Sequence, residues 1–306
     1  MFFGTSEFAV PTIDAIAASG RHHILTVVTQ PDKPQGRGLH FAVSPVKRAA
    51  ERLGLTIHQP RRVRSEAFLD LAREMKPDAL VLAAFGQLIP QALLDLPPFG
   101  PINVHGSLLP AYRGAAPIQR AIMNGETETG ITTMWMDATL DTGDILLQRS
   151  LPIEDEDTSG TLIPKMADLG AELLMETLDL LEDGKCSRIP QDHALATFAP
   201  AIAPEDSGIS WTNSAQAIRN RIRALSPRPG AFTAFKGRKL KLWDAMANEH
   251  ALGRPGEVTA VSKEGISVAA GNGTLMLREV QAENAKRMSA ADWARGARVA
   301  VGERFE

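Results

Sequence analysis

The sequence contains one cysteine, Cys186, so an intramolecular disulfide framework is excluded. Cys186 follows the polar stretch "EDGK" and reads as a bystander thiol. No run of about 18 apolar residues occurs, and no basic region followed by an apolar core opens the chain. A cytoplasmic location is therefore expected. The pattern G-x-x-x-x-G-K-[ST] is missing, which excludes a P-loop. "QGRGLHF" lacks the third glycine of a dinucleotide fingerprint and does not lie between a strand and a helix start. The seven histidines show no His-x-x-x-His spacing, no Cys-x-x-Cys is present, and no metal site is expected. A G-x-S-x-G elbow is also lacking.

Strong charge of either sign is lacking too. A net charge of −3 argues against indiscriminate coating of nucleic acid or membrane. The distribution is uneven, with 16 Lys and Arg against 11 Asp and Glu from Ala201 onward. A mildly basic C-terminal part suits a polyanionic partner, although the signal is small.

With 306 residues the chain is long enough for two domains, each with its own core. Its first half alternates short apolar runs with helical patterns. "MFF" precedes a turn and a helix with Thr5 or Ser6 as cap. "HILTVVTQ" is a strand, and "SPVKRAAERLG" is a helix capped by Ser44 with Pro45 at its first position. "LTIHQ", "ALVLAAF" and "INVH" are further strands separated by helices. "TGITTMWM" and "DILLQRSLPI" are two strands joined by a tight turn. A long helix, Thr161 to Glu182, starts close enough to Pro164 to tolerate it. Repeated β-α units predict an α/β fold with a Rossmann-like, mostly parallel, doubly wound sheet. Three residues are too few for a first strand among neighbours of about five, so the natural start is expected upstream. The periodicity fades over 185–206, which reads as a linker between a catalytic domain, 1–184, and a C-terminal domain, 207–306. Beyond one helix, the latter has short strands with turn signals at about ten-residue spacing, predicting a small β-barrel.

One polar constellation remains. Asn103 and His105 stand two apart at the C-terminal end of "INVH", so both point to one face where α/β sheets bind ligands. An Asn amide can donate to a developing oxyanion, and a His can serve as acid or base near neutral pH. "LDTGDIL" offers Asp141 and Asp144 to hold the imidazole. From spacing alone, loop caps and catalytic groups fit Asn103 and His105 equally well.

"NVHGSLLPAYRGAAPIQRA" together with "LDTGDIL" resembles the 10-formyltetrahydrofolate-dependent formyltransferases. The resemblance extends through "FGTSEFAVP", "TQPDKPQGRG", "SPVK", "AFGQLIP", "ATFAPAI" and "SPRPGAF", which covers nearly the whole chain. It implies that Asn103, His105 and Asp141 form a catalytic triad, selecting Asp141 over Asp144. It implies that 10-formyltetrahydrofolate is the formyl donor, lying along Phe85, Gly86, Gln87, Leu88 and Ile89. Backbone groups there would read the pterin edge while Leu88 and Ile89 pack on it. Ser107, Leu108, Leu109 and Pro110, with Asp144, complete the folate wall. Phe85 stands where relatives often carry Tyr.

The "PDKPQGRG" insertion and the C-terminal barrel, which the resemblance makes OB-like, point to the tRNA-specific branch. The implied partner is a methionyl initiator tRNA, formylated on its α-amine by a monomer. Arg37, flanked by Lys33 and Lys47, would meet the acceptor end; Gly36 and Gly38 lend that loop freedom. Arg228 and Lys239 would join Arg219, Arg221, Arg223, Lys236, Arg238 and Lys241 in a basic surface on the barrel domain. Ala201 and Arg228 replace the Lys and Trp frequent in relatives. The alternatives are a sugar-nucleotide N-formyltransferase, a formyltetrahydrofolate hydrolase, and a non-catalytic RNA- or folate-binding module.

Overall fold

The computed structural model describes residues 1–35, 40–250 and 253–306. They divide into two compact units: residues 1–117, 128–152 and 163–200 form the first, and 118–127, 153–162 and 201–306 the second.

In chain order the elements are β1 (Phe2–Gly4), α1 (Val10–Ala18), β2 (Val27–Val28), β3 (Lys33–Gln35), β4 (His40–Ala42), α2 (Pro45–Arg52), β5 (Ile57–His58), α3 (Glu66–Met75), β6 (Leu80–Ala83), α4 (Gln91–Leu94), β7 (Pro101–His105), α5 (Pro117–Asn124), β8 (Glu128–Trp135), β9 (Ile145–Pro152) and α6 (Ser159–Glu182). The main sheet of the first unit has the order β5-β2-β1-β6-β7-β8-β9. The pairs from β5 to β7 are parallel; β8 and β9 add antiparallel strands at one side. This is the expected Rossmann-like arrangement. β6 is apolar and buried throughout, as a strand covered on both faces must be. α3 buries Phe68, Leu69 and Ala72 on one face, and Phe3 meets Phe68 and Phe85 edge-on in the core beneath.

Several local expectations change. The bonded part of "HILTVVTQ" shrinks to Val27–Val28, which pair with Phe2 and Phe3 on β1 and with Ile57 and His58 on β5. Neither Thr5 nor Ser6 caps the following turn through its side chain; Thr5 Oγ1 instead donates to the Phe85 carbonyl at 2.8 Å. Ser44 does cap α2, accepting from the Lys47 amide, with Pro45 at the first position. β8 and β9 are joined by the loop 136–144 rather than a tight turn. α6 begins at Ser159, so Pro164 falls in its second turn. The 29–47 region carries a hairpin, β3 with β4, that its polarity concealed.

The second unit continues with α7 (Ala215–Leu225), β10 (Ala231–Phe235), β11 (Arg238–Asn248), β12 (Val258–Val261), β13 (Ile266–Ala269), β14 (Thr274–Ala282), β15 (Met288–Ser289) and α8 (Ala290–Ala297). Its antiparallel sheet runs β10-β11-β14-β13-β12, with β15 beside β14. The segment 302–306 bridges the two open edges. Phe305 pairs with Phe235 on β10, and Arg304 pairs with Glu257 before β12, giving a closed barrel. Trp211, Phe235 and Phe305 cluster in its core. α8 and β15 escaped the sequence reading. No helix among the described residues is long and apolar enough to cross a membrane.

Candidate active site

β7 places Asn103 and His105 on one face at the end of the sheet, between β6 and β8. His105 is 6% exposed, and its Nε2 lies 3.0 Å from the Tyr112 carbonyl oxygen. A carbonyl only accepts, so Nε2–H is the donor. Nδ1 faces Asp141 Oδ1 at 3.7 Å, too far for a hydrogen bond but close enough for a strong field. Asn103 is half-buried.

Asp141, not Asp144, is the carboxylate brought to His105. Asp144 turns to Arg188, 2.9 Å away. The Asp141 backbone is left-handed at φ 54°, a conformation Asp tolerates better than most residues. Its Oδ2 accepts from the Gly114 amide at 2.9 Å. Gly143 is required two residues on, because a Cβ there would sit 1.8 Å from the Trp135 carbonyl oxygen. The same loop is closed by Asp137, which accepts from the Thr139 amide and from the Thr139 and Thr142 hydroxyls. Partial burial pushes the Asp137 carboxyl up, but these hydroxyl and amide donors prevail and hold it below the usual carboxylate range.

The loop after β7 is pinned by Thr132 on β8. Its hydroxyl donates to the Ser107 carbonyl and accepts from the Leu109 amide and Gln148 Nε2. Ser107 Oγ donates to the Ala111 carbonyl at 2.6 Å. Residues 189–199, within the stretch read as linker, lie along this loop. The Ala199 amide donates to the Arg113 carbonyl, and the backbones of Ile145 and Ile189 exchange two bonds. The Thr197 hydroxyl accepts from the Tyr112 amide at 2.8 Å. Buried Arg113 donates through Nε and Nη2 to Gln191 Oε1 and meets His193 Nδ1 through Nη2. Gln191 Nε2 donates in turn to the carbonyls of Asp141 and Gly143. Arg113, Gln191 and Thr197 were not singled out by sequence. Arg113 sits inside the "AYRG" motif, but nothing in composition flags the other two.

The folate candidates divide by burial. Phe85 and Ile89 are buried in the core of the first unit, with Phe85 5.4 Å from Phe3 ring to ring. The Phe85 and Gly86 carbonyls both accept from Gln30 Nε2. Gln87 turns its Oε1 to the Val63 amide. Leu88 is 76% exposed, so of the two residues expected to pack on a pterin only Leu88 presents its side chain. Ser107 and Leu109 are buried, whereas Leu108 and Pro110 are half-buried.

Among the basic candidates, Arg37 lies outside the described residues, and Lys33 belongs to β3. The Lys47 ammonium is engaged by Asp32 at 2.5 Å. Hydrogen bonds from Lys47 and Gln59 hold the Asp32 carboxyl below the usual range. On the barrel, Arg228 is exposed and Lys239 lies 3.5 Å over the Phe232 ring. Lys241 and Arg287 flank Trp243, and Lys241 Nζ donates to the Pro229 carbonyl beside Arg228. The α7 arginines depart from the expected basic surface. Arg219 and Arg223 are 7% and 9% exposed, and Arg221 donates to the Asp206 and Gly208 carbonyls. Their spacing of four puts Arg219 and Arg223 on one helix face, against the loop 154–157.

Residues 1–178 match the family "Formyl transferase", and residues 201–298 match "Formyl transferase, C-terminal domain". A methionyl-tRNA formyltransferase from Syntrophus aciditrophicus is 46% identical over 99% of this chain and 97% of its own length. One from Koribacter versatilis is 50% identical over 97% and 95%. Among solved structures, an N-formyltransferase from Helicobacter canadensis, in complex with folinic acid and dTDP-3-aminofucose, superposes with a TM-score of 0.68. It covers 90% of this chain and 97% of its own, at 17% identity, and shares the fold. HypX from Aquifex aeolicus in complex with tetrahydrofolic acid gives 0.64 at 19% identity, covering 99% of this chain and 48% of its own. With both halves matched and relatives aligned end to end, the chain belongs to the formyl transferase family.

Proposed function

We propose that this enzyme moves the formyl group of 10-formyltetrahydrofolate to the α-amino group of a methionyl initiator tRNA. The observation that carries this reading is the end-to-end likeness, at 46–50% identity, to relatives named methionyl-tRNA formyltransferase. The juxtaposition of Asn103, His105 and Asp141 supports the chemistry.

The neutral α-amine attacks the formyl carbon, forming a C–N bond and placing negative charge on the formyl oxygen. Asn103, with its amide at the strand end, donates to that oxygen; losing one such donor costs about 3–4 kcal/mol of barrier. His105 donates through Nε2 to Tyr112, so the neutral ring carries its lone pair on Nδ1. Nδ1 takes the proton leaving the amine, and the Asp141 carboxylate stabilises the imidazolium formed. As the bond from carbon to N10 breaks, that proton passes to N10, releasing tetrahydrofolate. The tRNA rests on the barrel face that bears Arg228, Lys239, Lys241 and Arg287, where ring-stacked cations supply salt-dependent affinity. Arg37, Lys33 and Lys47 meet the acceptor end.

The test is an assay with 10-formyltetrahydrofolate offered charged initiator tRNA, sugar-nucleotide amines, or water alone. Formyl-methionyl-tRNA is the expected product. Its absence, with formylated sugar or free formate instead, overturns the reading.

A further inference from the structure

Two strained turns face each other in the candidate site. Tyr112 and Asp141 are left-handed, at φ 59° and 54°, and neither is a glycine. Such conformations persist only where their surroundings over-determine them. The Tyr112 carbonyl fixes the His105 ring, and the Asp141 carboxylate faces its other nitrogen.

Both turns are held by one segment. Thr197 Oγ1 accepts the Tyr112 amide, while the Thr197 backbone carbonyl accepts the Arg113 amide at 2.9 Å. Gln191 Nε2 spends both its protons on the carbonyls of Asp141 and Gly143, at 3.0 and 2.7 Å. Gln191 cannot flip, because its Oε1 receives two bonds from the buried Arg113 guanidinium. Reversing the amide would set N–H groups against N–H groups.

We propose that Gln191 and Thr197 are positioning residues for the reaction, acting through Asp141 and His105 respectively. Gln191 holds the carboxylate's turn and Thr197 holds the peptide that orients the imidazole. This rests on the reading that Asp141 and His105 carry the chemistry.

Gln191→Glu separates positioning from packing. The carboxylate keeps, and strengthens, the acceptor for Arg113, but it offers no donor to the Asp141 and Gly143 carbonyls. The expected result is a folded protein whose kcat falls about 10-fold or more, with KM for folate and tRNA within about twofold. Thr197→Val, equal in shape, should likewise lower kcat without moving either KM, and Thr197→Ser should restore it. Should Gln191→Glu fail to fold, the Thr197 pair decides the proposal alone. A kcat within twofold of the parent, or a loss confined to KM, overturns it. His105→Ala in the same assays keeps the two readings apart. If His105→Ala is fully active, the site assignment has failed; if it is inactive while Gln191→Glu and Thr197→Val are not, only the positioning proposal has.

Discussion

The Nε2 of His105 and the carbonyl oxygen of Tyr112 lie 3.0 Å apart, and this contact determines which tautomer the ring adopts. With Nε2 protonated, the nitrogen facing Asp141 is the one able to gain a proton. The left-handed Tyr112 peptide that supplies the carbonyl belongs to the loop after β7, which hydrogen bonds from Thr132 and Ser107 tie down. A wall of the site thereby sets the chemistry of the residue at its base.

Asp141→Asn should retain the fold and lose rate. Asn tolerates a left-handed backbone, and its amide oxygen can still accept from Gly114. The negative charge beside the imidazolium disappears, however. Single-turnover formyl transfer should slow by roughly 10²-fold or more, with the melting temperature changed by only about 2 °C. A parental rate would remove Asp141 from the mechanism.

His105→Ala and Arg37→Ala should fail in opposite ways. The first removes the proposed base and should reduce kcat by roughly 10²–10⁴-fold while tRNA affinity stays near the parent's. The second should raise KM for tRNA and leave folate binding intact, because on the proposed reading a bidentate donor to phosphate or base is lost. Steady-state kinetics with each substrate varied separately reads both. Equal effects in the two variants would contradict the division of roles.

The main sheet, every helix but α8, and the place of Asn103 and His105 were legible because each rests on short-range patterning. β6 is a buried apolar run, α2 has a Ser-Pro cap, and two residues of β7 share a face by strand alternation. Asp141 was distinguishable from Asp144 only through the family resemblance, since both precede or follow the same Thr-Gly. Gln191 and Thr197 were invisible, because their partners lie 50 and 85 residues away and no periodicity links them. Arg219 and Arg223 were misread for a related reason. A charged residue on a helix reads as solvated until the acidic loop that packs against it is known.

Those two arginines should matter for stability, and the barrel's exposed cations for binding. Arg223 donates to the Glu154 and Asp157 carbonyls, and Arg219 pairs with Asp155 and Glu156. Burial, with Arg219 nearby, pushes the Arg223 guanidinium below its ordinary value, so it is retained for the carbonyls it satisfies. Arg223→Ala strands those acceptors and should cost about 2–3 kcal/mol in denaturant unfolding. Arg228→Ala and Lys239→Ala should leave unfolding unchanged but weaken tRNA binding and flatten its dependence on salt. Unchanged stability in Arg223→Ala, or unchanged salt slopes in the other two, would count against these assignments.

Acid should weaken the second unit through Asp206. Hydrogen bonds from Arg120 hold its carboxyl below the usual range, at 2.6 Å from Nη2. The unfolded chain therefore binds a proton at Asp206 more readily than the folded chain does, and stability rises with pH across that interval. The contribution is complete above the ordinary carboxylate value of about pH 4 and is lost as pH falls through the lowered folded value. Asp206→Asn cannot take part in this titration. Thermal melts should show the parent more stable than Asp206→Asn at pH 7, with the gap narrowing steadily below about pH 4. A gap that stays constant from pH 7 to pH 3 would mean that Arg120 does not hold the carboxylate, and that Asp206 serves only as an acceptor for the Ala203 amide.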